Sequence, residues 1–122
     1  MNRNIEIAAV VYYILKDNVL VKTNDVFEWA DFFSNHQKRL VDATILEDCT
    51  IITIVFGVPM PDYILGLTEN MGIIGTSIKT NNGTIQEIDT YSTIEEAKRG
   101  HRQTVKDVQS KGCIQYLRDK IK

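Results

Sequence analysis

Between Ile73 and Tyr91 two runs rich in β-branched residues, IIGTSIKT and TIQEIDTY, are joined by Asn81-Asn82-Gly83. Asn-Gly accepts a positive φ at both turn positions, so this is the strongest hairpin signal in the chain. The next ten residues narrow the fold further. Tyr91 leads straight into STIEEAKRGH, where Ser92 with Glu95 three residues on reads as a capping box that starts a helix. Ile94, Ala97, His101, Val105 and Val108 then recur at helical spacing on one face, so His101 is expected to point with the apolar residues toward the body of the protein. Gly100, inside that helix, costs about 1 kcal/mol relative to Ala, which predicts that something approaches the helix closely there. A strand hairpin feeding a capped amphipathic helix implies helices laid on an antiparallel sheet.

The rest of the chain supplies more of both elements. Val10 to Leu15 and Val19 to Val21 flank the turn pair Asp17-Asn18 and read as a first hairpin, although periodicity leaves a helix open for residues 5–15. Asn24 or Asp25 caps a helix reaching about Asn35, with Val26, Trp29, Ala30 and Phe33 on its expected buried face. Leu40 to Leu46 and Thr50 to Phe56 form a second hairpin around Glu47-Asp48-Cys49. Gly57 to Met71 holds both prolines and reads as a loop, with a helical turn near Tyr63 to Leu67. Thr93 to about Ser110 is the main helix. Gly112 breaks it, and Cys113, Leu117 and Ile121 mark a short final helix. The expected class is α+β: one domain over 1–122, with a sheet of about six antiparallel strands. One helix follows the first hairpin, and C-terminal helices pack on the sheet.

Composition excludes several classes. No apolar run approaches the roughly 20 residues of a membrane span, and Ile7 to Leu15 follows Glu6 without a small-residue cleavage site. Cys49 and Cys113 are isolated, which points to a reducing, cytoplasmic setting rather than a disulfide framework. Residues 97–122 hold eight Lys or Arg against Asp107 and Asp119, placing +6 at this end and −8 on the remainder of a chain whose net charge is −2. Such a basic end is a solvated face, a surface for an acidic partner, or an anion site. The overall acidity argues against a dedicated nucleic-acid binder.

Catalytic and cofactor motifs are missing: no phosphate loop, no GxSxG elbow, no Cys-x-x-Cys and no His-Glu-x-x-His. His36 sits in a polar helix end. Cys49 or Cys113 with His101 is a conceivable nucleophile pair, and Asp42, Glu47 and Asp48 offer carboxylates whose ordinary role is solvated loop charge. The expectation is therefore no enzyme, no cofactor and no metal. Ligand binding fits better. Phe56, Tyr91 and Arg39 lie at strand ends, Lys79, Thr80 and Asn82 at a hairpin tip, and Arg99, His101 and Arg102 on the last long helix. Aromatic and guanidinium planes suit a base, while cations and hydroxyls suit phosphate and ribose. Each has a plainer role as well: Phe56 and Trp29 as core, Lys79 and Asn82 as turn residues, His101 as a satisfied buried histidine.

DVFEWADFF, KRLVDAT, CTIITIVFG and IDTYSTIEEAKRGH together resemble a family of small phage and prophage proteins. Its members read as a Trp-bearing helix, a basic pair opening a strand, V-S-T-V-F-L-G and F-E-T-M-V-F-G strands, and Y-S-T-W-E-E-A-x-x-G-H at the last helix. The resemblance covers about residues 9–108. It extends to the first-described Thoeris anti-defence proteins, phage sponges that sequester the cyclic ADP-ribose signal of bacterial TIR enzymes. It implies a cytoplasmic counter-defence protein that binds a small cyclic nucleotide without cleaving it, as a homodimer or higher oligomer, without membrane or nucleic-acid partners. This chain departs from the pattern where Phe-Glu-Thr-Met is replaced within GIIGTSIKT, and where Ile94 stands in place of the Trp. A protein-interaction module with the basic terminal helix as its contact surface, and a small cyclic-nucleotide hydrolase using His101, are the other readings.

Overall fold

A computed structural model describes residues 12–57 and 72–121. The strand-or-helix question for residues 5–11 and the loop expected over 58–71 lie outside the described residues.

The first hairpin is present. Strand β1 (Tyr12–Lys16) pairs antiparallel with β2 (Val19–Thr23) through Asp17 and Asn18, both at positive φ (51° and 66°). That is the two-residue turn whose twist matches paired strands. Helix α1 (Val26–Phe33) comes next, capped by the Asp25 carboxylate, which accepts from the N–H groups of Phe27 and Glu28. It ends two residues earlier than expected, and its buried face differs. Phe32 is the buried residue and Trp29 is half-buried, whereas Val26, Ala30 and Phe33 are exposed. Eight residues give little more than two turns, so Phe32, with Trp29 packed beside it, anchors the helix on the core. A one-turn helix α2 (His36–Arg39), capped by Asn35, stands where the sequence pattern predicts none.

Strands β3 (Leu40–Ile45), β4 (Cys49–Val55), β5 (Ile74–Thr80) and β6 (Ile85–Tyr91) form one antiparallel sheet in that order. All six expected strands exist among the described residues, but as a two-stranded and a four-stranded sheet rather than one sheet of six. The β5–β6 connection also differs in detail. Only Gly83 takes positive φ (93°), while Thr80 bonds across to Thr84 (2.8 Å), which makes a three-residue loop.

Helix α3 (Ile94–Lys111) crosses one face of the four-stranded sheet, and α4 (Cys113–Ile121) turns back at Gly112, whose φ of 88° ends α3 as the sequence suggests. The expected cap is displaced by one residue. Thr93 accepts from Glu96 N (3.1 Å), and the Glu96 carboxylate takes the Ser92 N–H (3.2 Å). Gly100 is necessary for the reason its position predicts: a Cβ there would lie 2.3 Å from the Tyr91 hydroxyl. Of the final helix, Cys113 and Tyr116 are buried and Leu117 packs beside them. The side chain of Ile121 lies outside the described residues.

Candidate functional site

Alternation in β4 sends Cys49, Ile51, Thr53 and Val55 inward toward α3, and β5 does the same with Ile74, Thr76 and Ile78. Two apolar clusters result. One joins Ile14, Phe32, Val55, Ile74, Tyr91 and Ala97, and the other joins Cys49, Ile51, Ile78, Val108, Cys113 and Tyr116. A polar row separates them.

Each strand of the four-stranded sheet gives that row one hydroxyl, and α3 gives it the imidazole. Tyr91 donates to Thr76 Oγ1 (3.1 Å), Thr76 meets Thr53 (2.5 Å), Thr53 meets His101 Nδ1 (2.8 Å), and His101 Nε2 meets Thr44 (2.9 Å). Asp42 Oδ2 stands 3.8 Å from the same Nε2, with about half its side chain in solvent. His101 itself is 1% exposed. Counting protons favours one tautomer. Thr76 accepts from Tyr91 and so spends its own proton on Thr53; Thr53 then spends its proton on Nδ1, which must be bare. Nε2 therefore carries the hydrogen and donates to Thr44. The other tautomer would leave one threonine proton, that of Thr53 or of Thr76, with no acceptor in the row. Burial lowers the His101 pKa, and the nearby Asp42 carboxylate opposes this, so the ring is neutral near pH 7.

A concave site lies elsewhere, at the junction of the first hairpin with the start of α3. A cavity of about 430 Å³ is lined by Asn18, Val19, Leu20, Thr93, Ile94 and Lys98 among others. A smaller one of about 230 Å³ shares Asn18, Ile94 and Lys98 with it and reaches Leu15 and Val41. Together they make a cleft with an aliphatic floor, hydroxyl and amide groups at its rim, and one ammonium (Lys98) beside one carboxylate (Glu95). Arg102 lies one helical turn beyond Lys98 on the same side of α3. Size and lining suit a small organic ligand.

The residues expected at a ligand site do not converge on one place. Arg39 is 7% exposed; its guanidinium donates to Val55 O (3.0 Å) and Phe33 O (3.3 Å) and lies 3.9 Å over the Phe33 ring, tying α1 and α2 to β4. Phe56 is buried against Gly75. Lys79 is exposed near the β5–β6 loop, where Thr80 donates to Asn82 Oδ1, which also accepts from Thr84 N. Arg99 and Arg102 are exposed on α3. Two pairs among the nine are linked: Thr80 with Asn82 inside their own loop, and Tyr91 with His101 through the buried row. The conceived Cys–His pair is not assembled. His101 engages threonines, and the Cys49 thiol lies against Cys113, with burial chiefly, and Cys113 next, pushing its pKa up to about 12.

Sequence reasoning misses several residues. Thr44, Thr53 and Thr76 complete the row, and the alternation of CTIITIV already places Thr53 among inward positions, where a hydroxyl needs a partner. Lys98 and Asn18 line the cleft. On the opposite face of the sheet, Glu87 Oε2 and Thr90 Oγ1 are buried without a hydrogen-bond partner among the described residues, and burial raises the Glu87 pKa to about 7. No family model, curated protein or solved structure matches this chain. Among the described residues no helix is long and apolar enough to cross a membrane, and no group of His, Cys, Asp or Glu could hold a metal ion.

Proposed function

We propose that this chain binds and holds a small anionic cyclic nucleotide of the cyclic ADP-ribose type, as a phage counter-defence sponge, without cleaving it. The observation that carries the reading is the cleft. A base can lie on Leu20 and Ile94, a ribose can meet Asn18 and Thr93, and a pyrophosphate can meet Lys98 with Arg102 a turn away. His101 supports binding over turnover, since both its ring nitrogens are committed to threonines inside the protein. Two charge-assisted contacts at roughly 1.5–3 kcal/mol each, with apolar contact beneath the base, are enough for sub-micromolar affinity after ordering costs.

The test is retention. The protein is incubated with glycocyclic ADP-ribose and a panel of cyclic di- and trinucleotides, filtered free of ligand and denatured by heat. The expected result is intact ligand at a fixed ratio per chain, with Lys98→Glu weakening retention about tenfold or more. Altered ligand would make the chain a hydrolase. Nothing retained would favour the second reading, a docking module for an acidic protein. That reading draws on Lys98, Arg99, Arg102 and Lys106, exposed along α3 with no ion pair among the described residues. Self-association into dimers or larger assemblies belongs to the same proposal and is read by sedimentation.

A further inference from the structure

The row from Tyr91 to Thr44 has one property that a set of isolated hydrogen bonds lacks: every hydroxyl in it points the same way. With His101 neutral, each proton is aimed from Tyr91 toward the β3 edge. A second proton on the imidazole makes both ring nitrogens donors. Thr53 then accepts from Nδ1–H, and one hydroxyl proton of the row loses its acceptor. Turning Thr53 toward Thr76 and Thr76 toward the Tyr91 oxygen keeps both threonines bonded and leaves that loss with the Tyr91 phenol, whose one hydrogen bond among the described residues is to Thr76. We propose that His101 is a proton switch whose protonation reverses the whole row and strips the buried Tyr91 hydroxyl of its acceptor, at the strand end that leads into the wall of the cleft.

Both ends of the row suit this role. At the β3 end, Asp42 Oδ2 lies 3.8 Å from His101 Nε2, close enough to balance the new charge on the ring. At the β6 end, the Tyr91 ring is wedged against Gly100 of α3 with no room to spare, so its reorientation bears on the two elements it joins. Ser92, Thr93 and Ile94 come directly after it and line the cleft.

The charged and titratable groups around the row are few. From β3 there is Asp42. The β4 and β5 residues that meet the imidazole and its partner are Thr53 and Thr76, which do not titrate. The phenol lies in the field of Asp89 and Glu87 of β6 and Tyr116 of α4. On α3 itself Lys98, Arg99 and Arg102 are exposed.

The test uses the whole chain without ligand, so its outcome is independent of what the cleft binds. Nitrogen-15 NMR at neutral pH is expected to show a bare Nδ1 and a protonated Nε2 on His101; the opposite tautomer would overturn the proposal. On acidification, the His101 nitrogens and the Tyr91 ring carbons are expected to shift with one midpoint, below the ordinary histidine value. A Tyr91 signal that stays still while His101 titrates would sink it. Thr76→Val cuts the relay between the two rings, so in that variant the Tyr91 ring should stay still while His101 still titrates. Thr76→Ala serves likewise if Thr76→Val does not fold. A Tyr91 shift that persists in a folded variant of either kind would be a direct field effect of the imidazolium and would refute the reversal.

Discussion

Among single residues, Glu87 is the least comfortable group of those described. One carboxylate oxygen is buried without a partner among the described residues, and burial raises the pKa from 4.5 to about 7. The consequence for stability has a definite sign. Between pH 4.5 and 7 the unfolded chain releases this proton while the folded chain keeps it, so stability falls as pH rises through that window. Above pH 7 the full penalty is in force. Glu87→Gln is therefore expected to leave urea stability nearly unchanged at about pH 4 and to raise it by about 1–3 kcal/mol at about pH 8. Equal effects at both pH values would show that the carboxyl is solvated. His101 contributes the opposite slope. Its lowered pKa makes the folded chain lose stability as pH drops below 6.5, because the unfolded chain takes up the proton first. Neither group can be ranked from the sequence. Glu87 sits in TIQEIDTY among Thr84, Gln86 and Asp89, which are half-buried or exposed, and its burial arises from Phe56 and Gly75, which lie far from it in the chain. Gly100 is legible for a local reason: glycine inside a good helix former is unfavourable unless a neighbour needs the space.

For helices and strands, local chemistry locates the elements well and their mutual packing less well. The first two hairpins and both C-terminal helices are written in β-branched runs, turn pairs and Gly112. The split into two sheets is not, because nothing local states whether β2 lies beside β3. The buried side of α1 is ambiguous in the sequence for a related reason. Two turns carrying Val26, Phe27, Trp29, Phe32 and Phe33 present apolar groups all round, and only the docking partner selects among them. The start of α3 offers a sharper test. Ser92-Thr93-Ile94-Glu95-Glu96 allows adjacent caps, since two hydroxyls one residue apart each have a Glu three residues on. Thr93 makes the capping bond, so Thr93→Ala should cost about 1 kcal/mol in chemical denaturation. Ser92→Ala should stay within about 0.5 kcal/mol, because the bond to Glu96 comes from its backbone N–H. The reverse ranking would restore the cap that spacing alone suggests.

Across the molecule, the first hairpin and α1 are held to the four-stranded sheet at a narrow place, the end of β4. Tyr13 N donates to Gly57 O (2.7 Å), Trp29 Nε1 donates to Phe56 O (3.2 Å), and Arg39 reaches Val55 O. Beneath them Ile14 and Phe32 join Val55 and Ile74 in one apolar cluster. Gly57 takes φ of 83°, and a Cβ there would lie 2.3 Å from Trp29 Nε1 and 2.5 Å from Tyr13 O. Gly57→Ala thus combines a left-handed backbone, roughly 1–2 kcal/mol, with a clash on backbone that cannot yield. The expected outcome is a loss of about 2 kcal/mol or more, with the hairpin and α1 loosened from a sheet whose pairing meets Gly57 only at its end, through a long bond from Gly57 N to Ile73 O (3.3 Å). Trp29 is the single tryptophan, so its fluorescence reports on this docking alone: emission should move to the red while most helical circular dichroism remains. Because the hairpin forms one wall of the cleft and α3 the other, ligand retention should fall with it although Lys98 is intact. Retention that survives a red-shifted Trp29 would place the ligand away from this junction, on the exposed cations of α3.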